Sequence, residues 1–177
     1  KYNVIGFDIN KTRVNQLIRK KDVTLEVESN KLKSKNIQFT SESKKIKNCN
    51  FYIITVPTPV NKRNLPDLRS LKNASKIVGR YLKKKDTVVY ESTTYPGCTE
   101  EVCVPILEKY SNLKLNNDFY CGYSPERINP GDKKHTIENI SKIVSASNSV
   151  GLQIVKNIYK NVTKKKLIIS KTIKVAE

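Results

Sequence analysis

The stretch Tyr-Ile-Ile-Thr-Val-Pro-Thr-Pro-Val at residues 52–60 decides the fold. With Phe51 it forms a continuous, mainly apolar run as far as Val56, which prolines then end. A short run of β-branched and aromatic residues without alternation predicts a strand covered on both faces, as in a parallel sheet. Further strands are predicted at residues 2–8, 37–40, 87–90, 119–123, 142–147 and 167–169.

Between these strands the apolar residues recur at helical spacing. Asn10 is expected to cap the first helix, in which Val14 and Ile18 lie on one face. The predicted helices span residues 10–20, 43–47, 67–82, 96–109 and 149–161, and a last one begins at 172. Strands that alternate with helices in this way predict an α/β domain with a largely parallel sheet.

The composition excludes several classes of protein. Hydrophobic residues make up 37% of the 177 residues and charged residues 28%, which supports the core of one domain and excludes a disordered tail. No window approaches 18 apolar residues, so no transmembrane helix is predicted. A charged start followed by an apolar segment is also missing, so we expect no secretion signal and a cytoplasmic protein.

The net charge is +18, from 34 basic and 16 acidic residues. A nucleic-acid-binding surface is one interpretation of such an excess. The basic residues are mainly lysines, however, since arginine occurs only at positions 13, 19, 63, 69, 80 and 127. Lysine, asparagine and isoleucine are abundant together, as in proteins from AT-rich genomes, and the lysine runs at 83–85 and 164–166 contain no interleaved aromatic residue. We therefore expect a solvated lysine coat and no nucleic-acid partner.

Metal and thiol chemistry have little support in the sequence. The cysteines at 49, 98, 103 and 121 form no C-x-x-C pair, and His135, the single histidine, has no companion at metal-ligand spacing. We expect reduced thiols and no metal site. Cys98 follows a glycine in a turn-like stretch, where a nucleophile could lie, but a small buried residue is the interpretation we favour.

Open α/β sheets bind ligands at the carboxyl ends of their strands, so the polar residues there form the candidate site. They are Asp8 and the residues at 55–59, 91–93 and 124–126. In a dinucleotide-binding fold, a carboxylate at the end of the second strand binds the adenosine ribose, about 20 residues after a glycine-rich turn. Asp8 fits that carboxylate if the turn precedes Lys1. The alternative is an aspartate that caps the next helix.

Four stretches of the chain are distinctive: Val-Ile-Gly-Phe-Asp-Ile-Asn-Lys-Thr-Arg-Val at 4–14, the stretch at 52–60, Tyr-Glu-Ser-Thr-Thr-Tyr-Pro-Gly-Cys-Thr-Glu at 90–100, and Gly-Tyr-Ser-Pro-Glu-Arg-Ile-Asn-Pro-Gly-Asp-Lys at 122–133. Together, and in this order, they closely resemble the UDP-glucose/GDP-mannose dehydrogenase family. The resemblance is greatest to the branch that oxidises UDP-N-acetylhexosamines for bacterial surface polysaccharides. It implies a Rossmann-like, doubly wound fold, here truncated at both ends.

The resemblance also implies an NAD-dependent oxidoreductase. Family members oxidise the C6 alcohol of a nucleotide sugar to a carboxylate in two hydride transfers to NAD, through a thiohemiacetal and a thioester on a cysteine. Asp8 and Arg13 would flank the adenosine ribose. The other cofactor-binding residues would be Val56, Pro57, Thr58, Pro59, Ser92 and Thr93.

The resemblance assigns the proton transfer to Glu126, acting through a water held by Thr93; these two are the expected catalytic residues. Hydride loss from an alcohol requires a base for the hydroxyl proton, and hydrolysis of a thioester requires an oriented water. The alternatives are an ion pair between Glu126 and Arg127, and an ordinary strand-end hydroxyl for Thr93. The expected substrate-binding residues are Glu126, Arg127, Ile128, Asn129 and Pro130.

Two features depart from the family pattern. Some relatives carry a second glutamate where this chain has Pro130, and the Pro-Gly version resembles the N-acetylhexosamine branch. The chain also ends at Glu177, before the family's cysteine nucleophile, and none of the four cysteines matches that nucleophile. The 177-residue chain alone is therefore expected to be inactive.

These observations lead to one expected function. Residues 1–171 would form an incomplete NAD-binding domain, and residues 172–177 would begin a central connecting helix. The expected activity is oxidation of UDP-N-acetylglucosamine or UDP-N-acetylgalactosamine to the uronic acid, for polysaccharide precursor synthesis. UDP-glucose is the alternative substrate, and a non-catalytic nucleotide-binding module is the alternative of another class. The expected partners are a UDP-sugar and, at full length, further copies of the chain in a homodimer or higher homo-oligomer, with no membrane.

Overall fold

A computed structural model describes residues 2–62, 64–128, 132 and 136–177. The chain divides into two compact units, each with its own sheet. The first comprises Lys1–Asn48 with Asn129–Asp132, and the second comprises Cys49–Ile128 with Lys133–Glu177. Within the described residues, no helix combines the length and the apolar character needed to cross a membrane.

The first unit contains two parallel strands joined through a helix. Strand β1 (Val4–Phe7) pairs in parallel with β2 (Ile37–Thr40), and helix α1 (Lys11–Ile18) follows β1. Asn10 caps α1 as predicted, because its side chain accepts a hydrogen bond from the N–H of Arg13. Short 3₁₀ turns occupy the segments Lys31–Lys33 and Ser43–Asn48, the second in place of a predicted helix.

The second unit contains a five-stranded sheet in the order β3-β4-β5-β6-β7. Its strands are β3 (Phe51–Ile54), β4 (Thr87–Tyr90), β5 (Tyr120–Tyr123), β6 (Lys142–Ala146) and β7 (Leu167–Ile169). Strands β3, β4 and β5 are parallel, β6 is antiparallel to β5, and β7 is parallel to β6. The prediction of a largely parallel α/β sheet is therefore confirmed.

Four helices belong to this second unit. They are α2 (Arg69–Gly79), α3 (Val104–Ser111), α4 (Ser149–Tyr159) and α5 (Ile173–Ala176). A π-helical segment, Thr99–Cys103, leads directly into α3, so the helix predicted from residue 96 begins three residues later and with wider turns. Strand β3 also ends two residues before its predicted limit at Val56.

The core of the second unit lies against strand β4, whose four residues are all buried. Val89, Val144, Val155 and Tyr159 form one fully buried cluster that joins β4, β6 and α4. The hydroxyl of Tyr90 makes a polar contact in the interior, where it lies 2.7 Å from the hydroxyl of Ser75 on α2. The candidate polar residues of this unit lie at the carboxyl ends of its strands, where open α/β sheets bind ligands.

Candidate functional site

The carboxyl ends of β3, β4 and β5 lie side by side at one edge of the larger sheet. Ile54 is in register with Tyr90, and Tyr90 with Tyr123. The pairing continues one residue further, since the N–H of Glu91 donates to the carbonyl of Ile54 at 2.9 Å and that of Ser124 to the carbonyl of Tyr90 at 3.0 Å. The structure thus brings together three of the four predicted groups of polar strand-end residues.

Ser92 and Thr93 follow β4 and differ in exposure. Ser92 is buried, its hydroxyl reaches the carbonyl of Ile54 at 3.5 Å, and its own carbonyl accepts the hydroxyl of Tyr123 at 3.2 Å. Thr93 is exposed. The neighbouring strands therefore anchor Ser92 from both sides and leave the side chain of Thr93 accessible to a ligand.

The loop after β3 carries four of the predicted cofactor residues. Val56 and Thr58 are half-buried, and Pro57 and Pro59 are exposed. The carbonyl of Pro59 accepts the N–H of Asp67 at 2.7 Å, which ties the loop to the segment before α2. The hydroxyl of Thr58 is buried and has no hydrogen-bond partner among the described residues. A buried hydroxyl without a partner is costly, so this position fits a bound ligand that supplies one.

Glu126 follows β5, and its side chain is 40% exposed. One carboxylate oxygen, Oε1, accepts the N–H groups of Arg127 and Ile128, each at 2.7 Å. The other, Oε2, lies 3.9 Å from the ammonium of Lys142. Among the described residues, Glu126 therefore pairs with Lys142, whereas the sequence suggested Arg127 as the partner. Of the expected substrate-binding residues, Asn129 and Pro130 lie outside the described residues.

Lys142 is buried at the start of β6, with a side chain only 1% exposed. Its ammonium lies 3.2 Å from the carbonyl oxygen of Pro125 and 3.4 Å from Oε1 of Glu91, besides the contact to Glu126. Lys142 was not among the predicted site residues, because it begins its strand and those residues follow theirs. Since β6 is antiparallel to β5, its first residue lies at the edge where β5 ends.

Glu91 and Tyr159 complete this buried group. The hydroxyl of Tyr159 donates a hydrogen bond to Oε1 of Glu91, and the ring of Tyr159 lies 5.8 Å from the ammonium of Lys142. Burial, together with the Glu91 carboxylate, raises the pKa of Tyr159 well above its usual range, so the phenol remains a donor. Glu91 thus accepts from a phenol and faces an ammonium, both buried.

In the first unit, Asp8 follows β1 directly and is exposed. Its Oδ1 accepts the N–H of Asn10 at 2.8 Å. The alternative that Asp8 caps α1 is wrong, because the side chain that caps this helix is that of Asn10. The Asp8 carboxylate stands at the end of a parallel strand, as the ribose-binding interpretation requires.

Arg13 is paired with Asp22, a partner that the sequence argument did not identify. The guanidinium Nη2 lies 2.7 Å from Oδ1 of Asp22, whose side chain is 2% exposed, while Nη1 is buried without a hydrogen-bond partner among the described residues. Burial alone would raise the pKa of Asp22, but hydrogen bonds from Thr24, Val27 and Arg13 outweigh it and hold the pKa well below the usual range. The ion pair therefore fixes the guanidinium of Arg13 through Nη2.

The turn that follows Thr93 is attached to helix α5 by the side chain of Glu177. One carboxylate oxygen accepts the hydroxyl of Thr94 at 3.1 Å and the N–H and hydroxyl of Thr99 at 2.9 and 2.7 Å. The other accepts the N–H of Gly97 at 2.6 Å. Gly97 has a φ of +99°, and a β-carbon there would lie 2.6 Å from the Glu101 carboxylate, so the turn requires glycine.

A comparison with protein families matches residues 1–163 to the model described as "UDP-glucose/GDP-mannose dehydrogenase family, NAD binding domain". The chain belongs to the UDP-glucose/GDP-mannose dehydrogenase family. The family resemblance and the choice of NAD as cofactor are thereby confirmed. The cofactor was predicted to bind at three places in this NAD-binding domain: at Asp8 after β1, and at the ends of β3 and β4.

Curated relatives of this dehydrogenase family are similar over the whole chain. Protein CapL of Staphylococcus aureus is 52% identical over 177 residues, which are 100% of this chain and 42% of CapL. The UDP-N-acetyl-D-glucosamine 6-dehydrogenase of Salmonella typhi is 52% identical over 175 residues, 98% of this chain and 41% of the relative. The chain thus spans about two fifths of the length of these relatives.

Among solved structures, the UDP-D-ManNAc dehydrogenase of Pyrococcus horikoshii superposes with a TM-score of 0.88 at 25% identity. The match covers 99% of this chain and 43% of that one. This agreement confirms the Rossmann-type fold, since the superposition extends over nearly the whole of the present chain.

The cysteines of this dehydrogenase domain are free, and Cys98, Cys103 and Cys121 are fully buried. A hydrogen bond with Cys103 lowers the pKa of the Cys98 thiol, against the opposing effect of burial. Cys98 is thus a small buried residue, which is the interpretation that the sequence favoured. Among the described residues, no three cysteine, histidine, aspartate or glutamate side chains are grouped as a metal site requires.

Proposed function

We propose that this chain is the cofactor-binding part of a nucleotide-sugar 6-dehydrogenase that oxidises the C6 alcohol of a UDP-N-acetylhexosamine to the uronic acid. The observation that carries the proposal is Glu126, a half-exposed carboxylate at the strand edge that also presents Ser92 and Thr93. The 52% identity to the Salmonella typhi UDP-N-acetyl-D-glucosamine 6-dehydrogenase supports this substrate class over UDP-glucose. The proposed product is a precursor for polysaccharide synthesis.

We propose that NAD is held by two groups of residues. Asp8 and Arg13 would bind the adenosine ribose, and the carboxyl-edge loops would line the phosphates and the nicotinamide: Val56, Pro57, Thr58, Pro59, Ser92 and Thr93. The buried Thr58 hydroxyl and Nη1 of Arg13, which lack partners among the described residues, support this assignment. When bound, NAD supplies the acceptor for the hydride of the alcohol carbon.

The chain's own residues handle the proton. Glu126 is positioned to accept the proton of the C6 hydroxyl, and Thr93 to hold the water through which the proton passes. Two backbone N–H groups at 2.7 Å hold Oε1 of Glu126, so we assign the acceptance of the proton to Oε2. Arg127, Ile128, Asn129 and Pro130 are proposed to bind the nucleotide sugar beside it.

The domain organisation and the setting are part of the same proposal. Residues 1–171 would form the cofactor domain and residues 172–177, which include α5, the start of a connecting helix. We place the enzyme in the cytoplasm, where nucleotide sugars and NAD are both available, as a homodimer or higher homo-oligomer at full length.

The test is the substitution Glu126→Gln in a full-length protein of the relatives' length, assayed for NADH formation at 340 nm with UDP-N-acetylglucosamine, UDP-N-acetylgalactosamine and UDP-glucose. Loss of a general base lowers kcat by roughly 10²–10⁴-fold, with little change in KM for the nucleotide sugar. Glu138→Gln, at a surface pair with Lys164, is the matched control and retains wild-type kcat. A kcat within about threefold of wild type, with a lower melting temperature, would reduce Glu126 to a structural residue.

A further inference from the structure

We infer that Lys142 is the positioning residue for Glu126: its buried ammonium directs the carboxylate that accepts the substrate proton. The inference rests on the proposed function, because Lys142 acts only through Glu126, the proposed proton acceptor. It adds a residue that lies outside the motifs in which the cofactor and substrate residues were found.

The ammonium of Lys142 contacts two consecutive residues in the segment after β5. The ammonium lies 3.2 Å from the carbonyl of Pro125 and 3.9 Å from Oε2 of Glu126. The backbone N–H groups of Arg127 and Ile128 hold the opposite oxygen, Oε1. Both oxygens of Glu126 are therefore oriented by the protein, Oε1 by the N–H groups of the next two residues and Oε2 by a buried ammonium.

Stability does not account for a lysine at this place. Removing an ammonium from water costs several kcal/mol, and buried ion pairs commonly do no better than apolar residues of the same volume. Lysines are almost never fully buried unless they are paired, and the side chain of Lys142 is 1% exposed. A costly buried charge at the edge of a candidate active site indicates a functional role.

Glu91 and Tyr159 explain how the ammonium is kept in place. Oε1 of Glu91 lies 3.4 Å from the Lys142 ammonium and also accepts the hydroxyl of Tyr159, whose ring lies beside the same ammonium. Among the described residues, the charged or titratable groups that face Glu126 are thus Lys142, with Glu91 and Tyr159 behind it, and the adjacent Arg127. The buried Glu91 carboxylate balances the charge of Lys142, so the ammonium can stay buried while it attracts the carboxylate of Glu126.

The strand direction brings these residues together. Gly122 pairs with Ala146 and Tyr123 with Ser145, so the chain beyond the end of β5 runs alongside the start of β6, where Lys142 lies. A parallel strand in this position would place its first residue at the other end of the sheet. The reversal of β6 therefore supplies a cation to the edge where β3, β4 and β5 present their polar residues.

The experiment is a double-mutant cycle in the full-length protein, with kcat, KM for UDP-N-acetylglucosamine, the Kd for NADH by fluorescence, and Tm measured for each variant. Lys142→Met keeps the length of the side chain and removes the charge. We expect kcat to fall by at least about tenfold, because small misplacements of a catalytic group cost up to about 10²-fold. We expect KM and the Kd for NADH to change by less than about threefold.

The decisive comparison is made in the Glu126→Gln background. If Lys142 acts through Glu126, adding Lys142→Met to Glu126→Gln lowers kcat by less than about threefold further. Equal losses in both backgrounds would overturn the inference and leave Lys142 a structural residue. A Lys142→Met variant with wild-type kcat would also overturn it.

Two further variants keep the test informative. If Lys142→Met fails to fold, Glu91→Gln with Lys142→Met removes both buried charges together and enters the same cycle. Ser145→Ala, a buried residue of β6 that bonds the carbonyl of Tyr123, is the control for altered packing and retains wild-type kcat. A wild-type kcat in Glu126→Gln itself would reject Glu126 as the proton acceptor, and absence of turnover by the wild-type protein with all three UDP-sugars would reject the proposed function; both outcomes are distinct from rejecting Lys142 alone.

Discussion

Asp8 is the single residue on which the choice of cofactor depends. It is exposed at the end of β1, with Oδ1 bound to the N–H of Asn10. A 2′-phosphate beside this carboxylate would meet a charge of the same sign, so we predict that the full-length protein prefers NAD over NADP by at least about tenfold in kcat/KM. Because Asp8 is exposed, the preference decreases at high ionic strength.

Asp8→Asn is expected to reduce that preference, since the amide removes the charge and keeps the shape. Asp118→Asn is the control, because Asp118 forms a surface pair with Lys84 in the loop before β5. Equal kcat/KM values for the two cofactors in the wild-type protein would show that Asp8 does not face the ribose.

Asp22 provides a second prediction at this scale, about stability. Its pKa is lowered in the folded state, so its contribution is fully present above the ordinary aspartate pKa near 3.9 and is lost as the pH falls through the lower folded value. Asp22→Asn is expected to reduce the free energy of unfolding by about 1–3 kcal/mol at pH 7 and by progressively less below about pH 4. Urea denaturation at several pH values measures this.

Asp67→Asn is the matched control for Asp22. Asp67 also binds an arginine, but its partner Arg69 is 88% exposed, and exposed pairs contribute little. If both substitutions cost the same, burial is not what gives the Arg13–Asp22 pair its importance.

At the scale of elements, the contact between β5 and β6 is the one that assembles the candidate site. Gly122 has no room for a side chain, because a β-carbon there would be 2.8 Å from the backbone carbonyl of Ser145. We predict that Gly122→Ala lowers the free energy of unfolding by about 1–3 kcal/mol, since the strand backbone must move to admit the methyl group. Lys72→Ala, on the exposed face of α2, is expected to change it by less than about 0.5 kcal/mol.

The strands show how far apolar patterning could predict the fold. Residues 37–40, 87–90 and 167–169 form strands with the predicted limits, because each run is short, β-branched and bounded by polar residues. The direction of β6 was not predicted, since the burial of a strand depends on its faces and not on whether it runs up or down. The π-helical turn before α3 also carries no periodicity that sequence patterns would register.

The site was predictable to the same extent. Glu126 and Thr93 were identified because they follow strands in family motifs, whereas Lys142 begins its strand and lies outside them. Asp22 was missed because a loop aspartate has no signal in its spacing, and only the fold brings it to Arg13. Residue type and position relative to strand ends were therefore informative, and contacts that depend on strand direction or loop path were not.

At the scale of the whole molecule, the charge of +18 invites a test of partners. We predict that the full-length protein is stabilised by NAD and does not bind duplex DNA at physiological salt. A ligand at ten times its Kd adds about 1.4 kcal/mol of stability, which a thermal-shift assay detects as a rise of a few degrees. A gel mobility shift with DNA below micromolar protein, together with no thermal shift from NAD, would favour the nucleic-acid-binding alternative.

The carboxylate of Glu177 has a mechanical consequence for the turn that follows Thr93. It joins α5 to Thr94, Gly97 and Thr99, so a tilt of this one-turn helix pulls on the peptide that begins just after Thr93. Ligand contact at Ser92 and Thr93 would, by the reciprocity of coupled equilibria, restrict the same helix in return. The rigidity of the turn and that of the helix are therefore one shared property, because both depend on four hydrogen bonds to a single carboxylate.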